Sequence, residues 1–151
     1  MIRISHRGNI DGIDLDTENS PEQIKKALDL GYNVEVDVWK TGDEIYLGHD
    51  APEYKSDIEF LRDERLWCHA KNLDALVHML ENNIHCFWHQ EDDYTITSRG
   101  YIWAYPGKQI GENSIVVLPE KNNYDVPACA VGVCSDYIER FKVDNRCTAG
   151  K

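Results

Sequence analysis

Short apolar runs alternate with charged stretches along the chain, and the period of the apolar positions switches between two and about three and a half. Residues 2–6 (IRISH) read as a strand, followed by a polar loop rich in Gly, Asn and Asp. A helix follows, with Ser20 as N-cap, Pro21 at its first position and Gln23 completing an S-x-x-Q capping box. Ile24, Ala27 and Leu28 form its apolar stripe, and Gly31 closes it. In residues 32–39 (YNVEVDVW), Val34, Val36 and Val38 alternate with Glu35 and Asp37, the pattern of a strand. A turn, TGDE, leads into a strand at 44–50; residues 57–64 predict a short helix capped by Asp57, and 66–71 a strand. Asn72 caps a helix carrying Leu73, Leu76, Val77 and Leu80. Segments 85–90, 101–105, 114–119 and 129–135 read as strands, 135–141 as a short closing helix, and the tail at 143–151 is expected to fray.

Strand followed by helix, without internal repeats or linkers, predicts a single α/β domain over 1–151 with a mainly parallel sheet. The chain is 42% hydrophobic and 10% aromatic, enough for a core, so disorder is excluded as a global description. Sixteen Lys and Arg against 27 Asp and Glu give a net charge of −11, which argues against duplex nucleic acid or anionic membrane as partner. A small anionic substrate stays open, because a few local cations or a metal ion reverse the sign at one site. The opening residues lack a signal-peptide pattern, and no apolar run is long enough to cross a bilayer, so a cytoplasmic protein is expected. The odd number of cysteines (Cys68, Cys86, Cys129, Cys134, Cys147) and the lack of a C-x-x-C pair predict buried free thiols rather than disulfides or a zinc cage.

The polar residues at strand ends carry the candidate chemistry. Glu35 and Asp37, two apart on one strand, face the same way. On a covered sheet face they repel each other unless a cation compensates, and oxygen pairs suit Mg²⁺ or Ca²⁺. The alternative is a half-exposed strand with its acids in water. His6 and His49 end strands, where parallel α/β folds place ligands, and fit a general base and general acid. Arg7 suits a phosphate clamp or a salt bridge. His69 and Lys71 again share a face: Lys71 could neutralise a phosphate, and His69 could ligate the metal or donate a hydrogen bond. His89 opens the polar loop 90–93 toward the same mouth. Trp103 and Tyr105 fit either a pocket wall or aromatic core. His78 reads as surface, and His85 has no evident partner.

The string SHRGN…ENSPEQIKKALDLGYNVEVDVWKTGDEIYLGHD (5–50) resembles the opening of the glycerophosphodiester phosphodiesterase family, which reads HRG, EN, a helix, G-x-x-x-E-x-D-V, T-x-D and HD. It is also similar to the related phosphatidylinositol-specific phospholipase C and sphingomyelinase D groups. The likeness continues collinearly through LWCHAKN, YIWAY and VGVCSDYIE. The segment FWHQEDD…GYIWAYPG resembles a short bacterial and viral subgroup. The resemblance implies a metal-dependent phosphodiesterase acting on a glycerophosphodiester or related small alkyl phosphodiester. It assigns His6 as base, Arg7 as phosphate clamp, and Glu35 and Asp37 as metal ligands with Glu18 or Asn19 nearby. His49 becomes the acid and Lys71 a phosphate contact; His89 and Trp103 join the expected substrate site by their positions along the chain. His69 stands where the family has an acid, so as third ligand it shifts the preference toward softer divalent ions or toward a more weakly held one.

A complete (β/α) barrel runs to about 250 residues, so the resemblance implies a reduced TIM-like barrel with several helices missing or shortened. Exposed apolar surface on such a barrel predicts possible self-association. Attack by water would give a hydrolase, and attack by a substrate hydroxyl a lyase that releases a cyclic phosphate. The alternative of another class is a non-catalytic module binding a phospho-ligand or protein on a degenerate barrel. Specificity falls to the loops at 9–19, 51–57, 90–99 and 106–113.

Overall fold

A computed structural model describes residues 1–142; the tail expected to fray and Cys147 lie outside the described residues. In chain order the elements are β1 (Ile2–His6), α1 (Pro21–Asp29), β2 (Asn33–Thr41), β3 (Glu44–Leu47), β4 (Tyr54–Ser56) and β5 (Leu66–Ala70). Then come α2 (Leu73–Glu81), β6 (Cys86–Phe87), β7 (Tyr94–Ile96), β8 (Ile102–Ala104), β9 (Ser114–Val117) and β10 (Gly132–Ser135). Parallel pairing runs β8, β9, β10, β1, β2, β5, β6, while β3, β4 and β7 join antiparallel to β2, β3 and β8.

The result is a strand-dominated sheet of mixed directions, curled as a half-barrel, with two helices of nine residues each among the described residues. The expected reduced TIM-like α/β barrel is therefore corrected. Alternation of strand and helix needs a crossover helix after each strand, and only β1–β2 and β5–β6 have one. From β2 to β5 the chain runs through the antiparallel β3–β4 pair and a 3₁₀ turn at Phe60–Arg62, which replaces the helix expected over 57–64. Segments 105–113 and 118–131, broken by Pro106, Gly107, Gly111, Pro119 and Pro127, return to parallel strands with no more than one 3₁₀ turn. The closing helix likewise shrinks to a 3₁₀ turn at Ile138–Arg140.

Local signals explain most elements that do form. Ser20 caps α1 by accepting from the Gln23 amide, and Gly31 follows its end at φ +89°. The capping box is not completed: the Ser20 N–H donates to the Thr17 carbonyl, and the Gln23 side chain donates instead to the Gly8 carbonyl at 2.8 Å. That bond ties α1 to the turn after β1. Asn72 caps α2 through the Ala75 amide, but the inward face of α2 is Ala75 and Met79; Leu73, Val77 and Leu80 are exposed.

The two faces of β2 sort the molecule. Val34, Val36 and Val38 pack with Ile24, Ala27, Leu28, Leu66, Cys68, Ala75 and Met79 in one core cluster. Each buried valine contributes about 1.5–3 kcal/mol. On the other face Trp67, Phe87, Trp103, Ile115 and Leu118 form a second cluster, and Glu35, Asp37 and His69 share that concave side. Cys68, Cys86 and Cys134 are buried free thiols as expected, whereas Cys129 is exposed. No helix among the described residues is long and apolar enough to cross a membrane.

Candidate functional site

Parallel register brings the sequence-predicted residues together. His6 lies opposite Glu35 across β1 and β2, and Asp37 lies opposite His69 across β2 and β5. After His6 the chain turns sharply: Arg7 takes φ +55° and Gly8 φ +86°, and a Cβ on Gly8 would meet Gln23 at 3.0 Å. The turn is held by the Arg7 amide donating to the Glu35 carbonyl at 2.9 Å. His49 follows Gly48, whose φ of +154° and approach to the Ala51 carbonyl leave no room for a side chain.

A cavity of about 350 Å³ opens at these strand ends. His6, Arg7, Glu35, His49, His69, Lys71, His89 and Trp103 all line it, and Asp37 sits fully buried beneath. All nine predicted site residues are thus at one place. Trp103 serves both expected roles, as cavity floor and as core against Phe87 at 4.7 Å between ring centroids.

Asp37 is the hub. Arg7 Nε and His49 Nδ1 lie 3.1 and 3.4 Å from its Oδ2, while His69 Nδ1 and Lys71 Nζ lie 3.1 and 3.8 Å from its Oδ1. Asn19, buried and at φ +63°, donates to Oδ2 at 2.9 Å and accepts from the Asp37 amide at 3.0 Å. Burial pushes the Asp37 carboxyl up, but His49, His69 and Arg7 outweigh it and hold the group well below the usual range. Glu35 moves the other way: burial, then the Asp37 charge, raises it, only partly offset by His6 and His69. Without a cation between them the two carboxylates favour a single charge.

His6 is held by a residue that the strand pattern did not single out. Its Nδ1 donates to Asp136 Oδ1 at 2.6 Å, leaving Nε2 toward the cavity, 3.8 Å from Glu35. Burial lowers the imidazole's affinity for a proton, but Asp136 and then Glu35 raise it above the ordinary value overall. Asp136 also accepts from Asn9 at 2.9 Å, and its amide donates to Glu120. The available signal was its place just after β10, beside β1, within the VGVCSDYIE segment of the resemblance. Lys121, in the 3₁₀ turn Pro119–Asn122, also lines the cavity and was missed; nothing in its local sequence distinguishes it from a surface lysine.

Arg7 links Glu18 to His49. One terminal nitrogen donates to Glu18 at 3.1 Å and the other to His49 Nε2 at 3.3 Å. Glu18 and Asn19 therefore act through Arg7 and Asp37, respectively. His89 contributes its carbonyl, which accepts from His69 Nε2 at 2.9 Å, and burial lowers its imidazole's proton affinity. His85 does have a partner: it is buried, 2.8 Å from the Thr97 hydroxyl and packed on Trp67.

Buried polar atoms without hydrogen-bond partners concentrate here. Of the seven among the described residues, five belong to this site: Arg7 Nε, Glu35 Oε2, Asp37 Oδ1, His49 Nδ1 and His89 Nδ1. Four of the five face an opposite charge without hydrogen-bond geometry: Arg7 Nε and His49 Nδ1 toward Asp37 Oδ2, Asp37 Oδ1 toward His69, and Glu35 Oε2 toward His6. A ligand or ion in the cavity would complete them. Donor atoms of Glu35, Asp37 and His69 all lie within 4.8 Å of one another, so the residues fit a divalent cation. Arg7, Lys71 and Lys121 set positive charge around the same cavity and suit an anion. Comparison with protein-family models, curated proteins and solved structures yields no match.

Proposed function

We propose that the cavity cleaves a small phosphodiester, a glycerophosphodiester or related alkyl phosphodiester, with a divalent cation held by Glu35, Asp37 and His69. One observation carries the proposal: orphaned buried acceptors and donors converge on a cavity that has a base, an acid and a phosphate clamp around it. The resemblance over residues 5–50 supports the same assignment. A volume of about 350 Å³ is at the low end for ligand sites, which favours a compact substrate over a whole lipid.

When bound, the cation would withdraw charge from the non-bridging phosphate oxygens. Arg7 would exchange its contact with His49 for a phosphate oxygen, and Lys71 would neutralise the same group. That exchange frees His49 Nε2 to carry the proton given to the leaving alkoxide. His6 Nε2, its ring fixed by Asp136, removes the proton from the attacking hydroxyl. Attack by water gives a phosphomonoester and an alcohol; attack by a neighbouring substrate hydroxyl gives a cyclic phosphate and an alcohol.

The test is a panel of glycerophosphodiesters followed by ³¹P NMR, with EDTA and with divalent ions restored, which also separates the two product types. Chelation should abolish turnover, and His6→Ala and His49→Ala should each lower it about 10²–10⁴-fold. Undiminished turnover in both variants would overturn the roles. A protein that binds metal yet cleaves none of the panel would be a binding module instead.

A further inference from the structure

We infer that the Glu35–Asp37–His69 cluster selects a borderline transition-metal ion of the Mn²⁺, Fe²⁺ or Zn²⁺ class over Mg²⁺ and Ca²⁺, with His69 Nδ1 as the discriminating ligand. The inference rests on the metal half of the proposed function. The His89 carbonyl 2.9 Å from His69 Nε2 can only accept, so Nε2 carries a hydrogen. The ring atom left to serve a ligand bond is Nδ1. That nitrogen faces Asp37 Oδ1 at 3.1 Å and Glu35 Oε1 at 3.7 Å. One shared cation would draw Nδ1 and both carboxylates onto itself, in place of the Asp37–His69 contact at 3.1 Å that the cluster makes without it.

The spacing admits a shared ion, with Asp37 Oδ1 at 3.1 Å and Glu35 Oε1 at 3.7 Å from Nδ1, and leaves the choice of ion to the ligand chemistry. Ligands about 2.0–2.2 Å from a common ion, at octahedral to tetrahedral angles, lie about 3.0–3.5 Å apart. The ring is also fixed in place. It stacks on Phe87 at 5.0 Å and 10°, and β5 sets it directly opposite Asp37. A carbonyl on the far nitrogen of a ligating imidazole orients it and raises its basicity. Imidazole nitrogen binds the later first-row ions increasingly well, whereas Mg²⁺ and Ca²⁺ favour oxygen, and Ca²⁺ takes six to eight oxygens. Glu35 and Asp37 alone would favour the hard ions; His69 tilts the balance.

The experiment titrates metal-stripped full-length protein with MnCl₂, MgCl₂ and CaCl₂ by calorimetry, and records electron spin-echo modulation of bound Mn²⁺. Mn²⁺ should bind at least about 10-fold tighter than Mg²⁺, and His69→Asp should remove most of that ratio. Bound Mn²⁺ in the unsubstituted protein should show nitrogen modulation, which keeps the test independent of how well the variant folds. Equal affinity for Mn²⁺ and Mg²⁺, no nitrogen modulation, or an unchanged ratio in His69→Asp would each overturn the inference. Binding of none of the ions would do so too, and would put a proton on Nδ1 instead. No arm measures turnover, so a failure of the phosphodiesterase assignment shows separately, as metal binding without cleavage.

Discussion

His85 should make folding stability fall as the solution is acidified. The imidazole is buried on Trp67, with ring centroids 4.4 Å apart, and lies 2.8 Å from the Thr97 hydroxyl. Burial, then the Arg99 charge, lowers its pKa from 6.5 to about 4. The unfolded chain therefore takes up a proton between those values while the folded protein does not. Stability is fully present above 6.5 and is lost as pH falls from 6.5 through 4. With these two pKa values, linkage gives a loss of about 2 kcal/mol between pH 7 and pH 5. The assay is urea unfolding at both pH values for the unsubstituted protein and His85→Gln, which keeps a partner for Thr97 but does not titrate. Other titrating groups, His6 and Asp136 among them, are common to both proteins and cancel in the difference. The unsubstituted protein should lose about 2 kcal/mol more than the variant. Equal losses in the two proteins, or an NMR titration of His85 centred near 6.5, would refute the reasoning.

Two further substitutions probe the site's supports. Asp136→Asn removes the charge that fixes the His6 tautomer at 2.6 Å, and kcat should drop about 10²–10⁴-fold with KM little changed. The acid limb of the kcat/KM profile should move down, since Asp136 helps hold His6 above its ordinary value; an unmoved profile would show that Asp136 does not act through His6. Gly48→Ala places a Cβ 2.1 Å from the Ala51 carbonyl at a φ of +154°, so unfolding stability should fall by about 2–4 kcal/mol and His49 should be displaced. A variant with the stability of the unsubstituted protein, by urea titration, would show that the 48–53 loop is not as constrained as its contacts imply.

Site residues were more legible than the fold because their signals are local. Glu35 and Asp37 announce a shared face by spacing alone, and His6, Arg7 and His49 by their place at strand ends. The partners that hold them are not local: Asp136 reaches His6 from 130 positions away, and no period in the sequence links the two. Strands with an apolar period were readable, but β4 and β7 were not. Each has three residues, largely polar or exposed, and lies against a single neighbour at a sheet edge, so burial left no pattern in them. Of the apolar residues that stand out in α2, Leu76 is partly buried against the core while the other three are exposed. Leu73, Val77 and Leu80 dominate by size, yet the small Ala75 and the flexible Met79 fit the close approach to β2 and β6.

That contrast explains how such a site persists without a full ring of strands and helices. The ionisable groups nearest Asp37 come from β1, β2, β5, the residues just after them, or the turns beyond β3, β6 and β10, with Glu18 added from the loop before α1 and Lys121 from the 3₁₀ turn after β9. Four of these strands, β10, β1, β2 and β5, are consecutive parallel neighbours. Their relative register alone sets His6 against Glu35 and Asp37 against His69. The two helical crossovers pack against this block: α1 buries Ile24, Ala27 and Leu28 beside the β2 valines, and α2 buries Ala75 and Met79 in the same cluster. Elsewhere a strand needs only enough contact to wall the cavity, and β8 and β9 achieve that with Trp103 and Val117 and no covering helix. The two helices pack behind the β2–β5 pair that carries the charged groups, and the strands that wall the rest of the cavity have no covering helix.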